Sequence, residues 1–127
     1  MRLTLASYLL PILALFGGFL FSSNMIYGSD MIPMGYMARK LYKTMWTQFG
    51  EFPLWNPYIL GGLPFVDALH GDIFYPTTII KFLVPLHRGI GLVLALHILL
   101  AGIFMFICLR GEGLSRPAAW FGGLAYM

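Results

Sequence analysis

Asp30 stands in the stretch IYGSDM, directly after a long charge-free tract. A carboxylate at the mouth of a membrane helix has two readings. It is a solvated residue at a helix end, or a functional group at the lipid–water boundary, where drawing an ionisable side chain inward is costly. Gly28 and Ser29 let the chain turn, so the carboxylate need not follow the helix axis. A second acidic group is DALHGD, with Asp67, His70 and Asp72. An Asp-x-x-His pair shares one face of a helix, and Asp, His and Asp suit either a divalent cation or an acid–base set. Gly71 argues instead for a loop in which three polar residues are simply solvated. Arg39, Lys40 and Lys43 form a cationic group, which either meets lipid phosphates and loop water or grips a phosphorylated substrate. His97 lies in an apolar tract and reads as an interhelix hydrogen-bond partner with a packing role. No GxSxG, HExxH, CxxC or phosphate-cradling glycine-rich loop occurs, so the templates of soluble enzymes fail.

The elements that must position these residues are membrane-like. Of the 127 residues, 59% are hydrophobic and 10% charged, against about 25% charged in a soluble domain. Leu3 to Ser29 and Gly89 to Leu109 carry no Asp, Glu, Lys or Arg. As helices they measure roughly 40 and 32 Å, against a hydrocarbon core of about 30 Å. A signal peptide is the rival for the first tract, with Arg2 as its basic start. The run is longer than such a core, and no A-x-A-like site follows it, which favours a retained span. From Pro117 the chain turns apolar again as PAAWFGGLAYM. This predicts a third span cut short at Met127, so the chain reads as the N-terminal piece of a larger protein. The predicted fold class is therefore an all-α integral membrane protein. It has a span over about 4–27, a long loop over about 28–87, a span over about 89–109 and a truncated span from about 117. The net charge of +3 is spread along the chain and carries no nucleic-acid signature. The single cysteine, Cys108, excludes an intrachain disulfide.

Within the loop, Met34 to Phe49 has helical periodicity. Met34, Met37, Ala38, Leu41 and Met45 share one face, with Tyr42 and Phe49 at its edge, while Arg39, Lys40, Lys43 and Thr47 gather opposite. The pattern predicts an interfacial helix over about 34–49, lying flat among lipid headgroups. EFPLWNPYILGGLPF then concentrates Pro53, Pro57 and Pro64 with the Gly61-Gly62 pair. The prolines forbid a continuous helix and the glycines permit positive φ, so a compact, ordered loop is expected. Trp55, Tyr58 and Phe65 have the character of interface aromatics, and Asn56 offers both donor and acceptor. FYP, with Tyr75 at its centre, leads into a short apolar helix over Thr77 to Val84, ended by Pro85. RGEGLSR reads as a tight turn in which Gly111 and Gly113 leave one helix and Ser115 caps the next, making the last two apolar segments antiparallel neighbours. Arg2, Arg110 and Arg116 flank the spans on one side and favour a cytoplasmic N-terminus. Arg39, Lys40, Lys43, Lys81 and Arg88 in the loop favour the reverse. The loop's length weakens their vote, so it is placed outside.

FPLWNPYILGGLPF followed by GDIFYPTTII resembles the first extracytoplasmic loop of the bacterial YfhO-like membrane protein family, whose members often carry a P-L-W-N-P-Y-x-x-G-G-x-P-F run and a downstream F-Y-P. The resemblance covers the loop and its flanking spans. It implies a large multi-span protein of the bacterial cytoplasmic membrane, similar to the GT-C glycosyltransferases. Those transfer a sugar from a polyprenyl-phosphate carrier to a cell-envelope acceptor on the outer face. It further implies an inverting displacement with an acidic residue of the first outer loop as general base or, in some members, as a metal ligand. Asp30 occupies that place, with Asp67 and Asp72 as the other acids. The resemblance puts the long loop outside and sets Arg39, Lys40 or Lys43 near carrier phosphate. Trp55, Asn56, Pro57, Gly61, Gly62 and Tyr75 are then the loop's scaffold. The alternative is a non-enzymatic membrane protein whose aromatic outer loop anchors or recruits a partner.

Overall fold

The computed structural model describes residues 6–26, 28, 31–66 and 73–127. In chain order the elements are α1 (Leu9–Leu20), α2 (Met37–Thr44), strands β1 (Trp55–Asn56) and β2 (Leu63–Pro64), α3 (Thr78–Leu83), α4 (Leu86–Gly111) and α5 (Arg116–Tyr126). Segments Met31–Tyr36 and Met45–Phe49, on either side of α2, are π-helical. The chain divides into two units, Met1–Asn24 with Gly91–Met127, and Met25–Ile90.

In the first unit, α4 alone among the described helices is long and apolar enough to cross a bilayer. Its 26 residues make roughly 39 Å of helix. It starts earlier than expected because the Pro85 carbonyl already accepts from the Arg88 and Gly89 N–H groups, each at 3.0 Å. It ends at a left-handed Gly113, φ +84°, with the Leu114 N–H returning to the Leu109 carbonyl at 3.1 Å, the closure that glycine permits at a helix C-terminus. Ser115 then caps α5, its Oγ accepting from the Ala118 N–H at 3.4 Å, with Pro117 in the first turn. The expected helical hairpin is present. A Cβ added to Gly123 would lie 2.7 Å from the Gly102 carbonyl oxygen, so the two backbones touch where neither residue has a side chain. Tyr8 is fully buried against Phe106 and Ala119. Its hydroxyl donates to the Trp120 carbonyl at 2.9 Å, and Trp120 Nε1 donates to Ser7 Oγ at 2.7 Å.

Within the tract expected to span over about 4–27, the described helix α1 covers 12 residues, about 18 Å of helix, so a complete first span is not shown among the described residues. Beyond it, Ser22 Oγ donates to the Gly18 carbonyl and accepts from the Asn24 N–H at 3.0 Å. Those local side-chain bonds compete with the helical ladder and end it inside the charge-free tract.

The second unit is built around the helical path from Met31 to Phe49, which starts three residues before the predicted 34–49 and closes at Gly50, φ +68°. Its apolar face packs in part within the unit. Ala38 is buried with Phe65 and Ile73, and Leu41, Tyr42 and Phe52 pack on them, whereas Met37 and Phe49 are exposed. The Tyr42 ring is the hub of this core. It meets Phe82 edge-on at 4.9 Å and Phe52 at 5.4 Å, and tilts against Phe65 at 6.1 Å; such pairs contribute about 0.5–1.5 kcal/mol each beyond area burial.

The proline-rich stretch forms a feature that an all-α expectation omits. β1 and β2 pair antiparallel, Trp55 opposite Pro64 and Asn56 opposite Leu63. The reversal between them uses positive φ at Leu60 (+50°), Gly61 (+79°) and Gly62 (+118°). A Cβ at Gly62 would come within 2.7 Å of Trp55 Nε1, so the indole lies directly on the glycine backbone. α3 is one residue shorter at each end than expected, and Val84 before Pro85 is extended (φ −127°, ψ 167°), as proline requires of its predecessor.

Candidate functional site

The three cations proposed for phosphate binding, Arg39, Lys40 and Lys43, lie on or around α2, and the helix sends them in different directions. At 100° per residue, Arg39 and Lys43 lie 40° apart, both to one side of the buried Ala38–Tyr42 face, while Lys40 points away from it.

Lys43 reaches across to the end of α3. Its Nζ donates to the carbonyls of Lys81 at 3.1 Å and Val84 at 2.6 Å. These are carbonyls that a helix C-terminus leaves without intrahelical partners, at the negative end of its dipole. Two of the three ammonium donors are thereby committed to the fold.

Arg39 lies beside Lys81 around a small apolar cavity bounded also by Ala38, Tyr42, Phe65 and Thr78, about 10 Å³ in volume. That is room for about one water and no substrate. Lys81 is 3% exposed. Burial first, and the positive charge of Arg39 second, lower its pKa to about 8. Burial also lowers the pKa of Arg39 and raises that of the Tyr42 hydroxyl.

Lys40 faces a different space. An open groove of about 610 Å³ runs between α2 and the β1–β2 hairpin, lined by Met37, Lys40, Leu41, Thr44, Asn56, Tyr58 and Ile59. This volume falls in the range of small-molecule sites, roughly 300–1,000 Å³. Its walls are apolar at Met37, Leu41 and Ile59, and Lys40 is exposed at its edge. Asn56 is 2% exposed, and its Oδ1 accepts from the Tyr58 N–H at 3.1 Å. The amide oxygen therefore holds the turn, and the Nδ2 hydrogens are the donors left for the groove.

No protein-family model, curated protein or solved structure matches this chain. The geometry of the second unit therefore carries the functional reading.

Of the scaffold residues, Trp55 and Gly62 pack on each other, Gly61 supplies a left-handed turn, and Pro57 follows Asn56 in that turn. Tyr75 is half-exposed, and its carbonyl accepts from the Thr78 N–H at 2.9 Å. Asp30, Asp67, His70 and Asp72 lie outside the described residues. Among the described residues, no group of three or more His, Cys, Asp or Glu is placed to hold a metal ion. His97 bonds within its own helix, Nδ1 donating to the Val93 carbonyl at 2.6 Å. Sequence reasoning missed Thr44 as a groove residue and Lys81 as a buried cation. The signal for Lys81 was present: a single cation inside the apolar run TIIKFLV.

Proposed function

We propose that this chain is the N-terminal part of an integral-membrane glycosyltransferase similar to the YfhO-like proteins. It transfers a sugar from a polyprenyl-phosphate carrier to a cell-envelope acceptor on the outer face of the bacterial cytoplasmic membrane. The groove between α2 and the hairpin is the observation that carries this reading. It combines apolar walls with one exposed cation, Lys40, and a polyprenyl phosphate has the same division between an apolar chain and an anionic head. A lysine at the rim gives the phosphate a charge-assisted hydrogen bond while the chain lies along Met37, Leu41 and Ile59.

In this reading α4 crosses the membrane, α1 belongs to a first complete span, α5 begins a third, and the unit between α1 and α4 is extracytoplasmic. Asp30 is the general base. Its carboxylate takes the proton of the acceptor hydroxyl as that oxygen attacks the anomeric carbon, and the carrier phosphate leaves with the electrons of the broken C–O bond. The test is Asp30→Asn in the full-length protein, assayed with a panel of polyprenyl-phosphate sugars. Transfer should be lost while the protein stays in the membrane. Unchanged transfer overturns the assignment of Asp30.

The exposed aromatics Trp46, Trp55, Tyr58 and Phe74 favour a second reading, a non-enzymatic membrane protein whose outer loop anchors or recruits a partner. That reading expects no transfer from any carrier sugar by the full-length wild-type protein.

A further inference from the structure

We infer that the tip of the β1–β2 hairpin, Tyr58 to Leu60, inserts into the lipid bilayer with Leu60 as its deepest side chain. The inference rests on the membrane reading of α4 given above, and it adds a second, monotopic contact to that span.

Leu60 is the one non-glycine residue with positive φ among the described residues, at +50°. A turn that needs this geometry is served by glycine or asparagine, because a larger side chain crowds its own backbone there. Leu60 is also 88% exposed. Leucine at this position gives the unit neither conformational ease nor buried apolar surface. Both penalties are offset once the side chain enters a separate apolar phase.

The order of residues behind the tip selects lipid as that phase. Tyr58 is 82% exposed and Trp55 55% exposed, so amphipathic aromatics follow an aliphatic tip, the order in which side chains are layered from the headgroups to the hydrocarbon. Phe52 to Val66 contains no charged residue, so no cation or carboxylate is dragged inward. The tip also satisfies part of its own backbone, with the Gly62 N–H donating to the Ile59 carbonyl at 2.8 Å, which lowers the penalty of leaving water. The first residues of α4, Leu86 to Ile90, belong to the same unit as the tip and continue covalently into the span, so insertion is an intramolecular event.

The experiment uses the full-length protein in lipid nanodiscs, in a Cys108→Ser background. Single cysteines at Leu60→Cys, Glu51→Cys and Phe104→Cys are labelled with an environment-sensitive fluorophore and challenged with acyl-chain nitroxide lipids. Position 104 reports on α4 and position 51 on the exposed base of the hairpin. Insertion predicts that nitroxide lipid removes about half or more of the signal at 60 and at 104, and little at 51. Quenching at 104 with position 60 no different from 51 overturns the insertion and leaves the membrane reading standing. Loss of quenching at both 60 and 104 overturns the membrane reading itself. Shielding of 60 from both aqueous and lipid quenchers means that protein covers the tip, and overturns the inference in favour of a partner. As a second variant, Leu60→Asn keeps the left-handed turn. Thermal stability should hold or rise, while quenching of a probe at Tyr58→Cys falls; undiminished quenching there removes Leu60 as the inserting residue.

Discussion

Lys43 Nζ donates to the Val84 carbonyl at 2.6 Å, joining residues 41 positions apart. The bond ties the helix that carries every proposed phosphate-binding cation to the end of α3, just before Pro85 and the start of α4. Lys43→Met removes a cationic cap from two carbonyls at once. It should lower the stability of this unit by about 1.5–3 kcal/mol, the range for hydrogen bonds to charged groups. Lys43→Arg should recover part of it. Amide exchange around Lys81 and Val84 in the detergent-solubilised protein is the readout, and unchanged protection would show that the cap contributes nothing.

Gly62 under the Trp55 indole makes a paired test. Gly62→Ala meets both a left-handed backbone and the ring, and should destabilise the hairpin by about 1–3 kcal/mol. In the double variant with Trp55→Ala the steric part disappears and the backbone part remains, so the two effects should be less than additive. Protease cleavage within Pro57–Gly62 measures the opening of the turn.

Lys81 sets a pH dependence of unusual sign. Its folded pKa, about 8, lies below the ordinary 10.5, so between those values the unfolded chain binds more protons than the folded one. Stability should therefore rise as pH increases from about 8 to 10.5. Below that window the folded state bears the full penalty of the buried charge. Lys81→Met should abolish this slope. Arg39→Met removes the second cause of the shift and should move its onset to higher pH. Thermal melts across this range decide the point, and a stability that falls with pH through the window in the wild type alone would contradict it.

Lys40 is exposed and serves no described cap, so Lys40→Ala should leave the melting temperature unchanged. It should raise the KM for a polyprenyl-phosphate donor by about tenfold, as expected from losing one charge-assisted contact. Lys40→Arg should restore most of it. An unchanged KM in the alanine variant would take carrier phosphate away from this groove.

Much of the architecture was legible from neighbouring residues. Ser115 before Pro117, the glycines of RGEG, and Pro85 after an apolar run announced their caps and breaks, because a helix end is decided by hydrogen bonds within four or five positions. The 3.6-residue repeat from Met34 likewise revealed the helix through α2. It did not show which apolar residues would be covered, since Phe65 and Ile73 reach Ala38 only through the folded loop. The end of α1 inside the first apolar tract was less legible for a related reason: hydropathy counts Ser22 as mild, whereas its hydroxyl donates to the Gly18 carbonyl and accepts from the Asn24 N–H just past the helix.

Composition, charge-free length and turn residues were sufficient to establish a mostly helical chain, and of the two complete spans they predicted the one over about 89–109 is matched by a span-length helix at Leu86–Gly111. All of these follow from local chain properties. The division of labour among Arg39, Lys40 and Lys43, the place of Tyr42 at the centre of a ring cluster, and the seating of Trp55 on Gly62 belong to the tertiary structure. A side chain's partner is set by which distant backbone or ring folding brings within reach, and for Lys43 that partner lies 41 residues away.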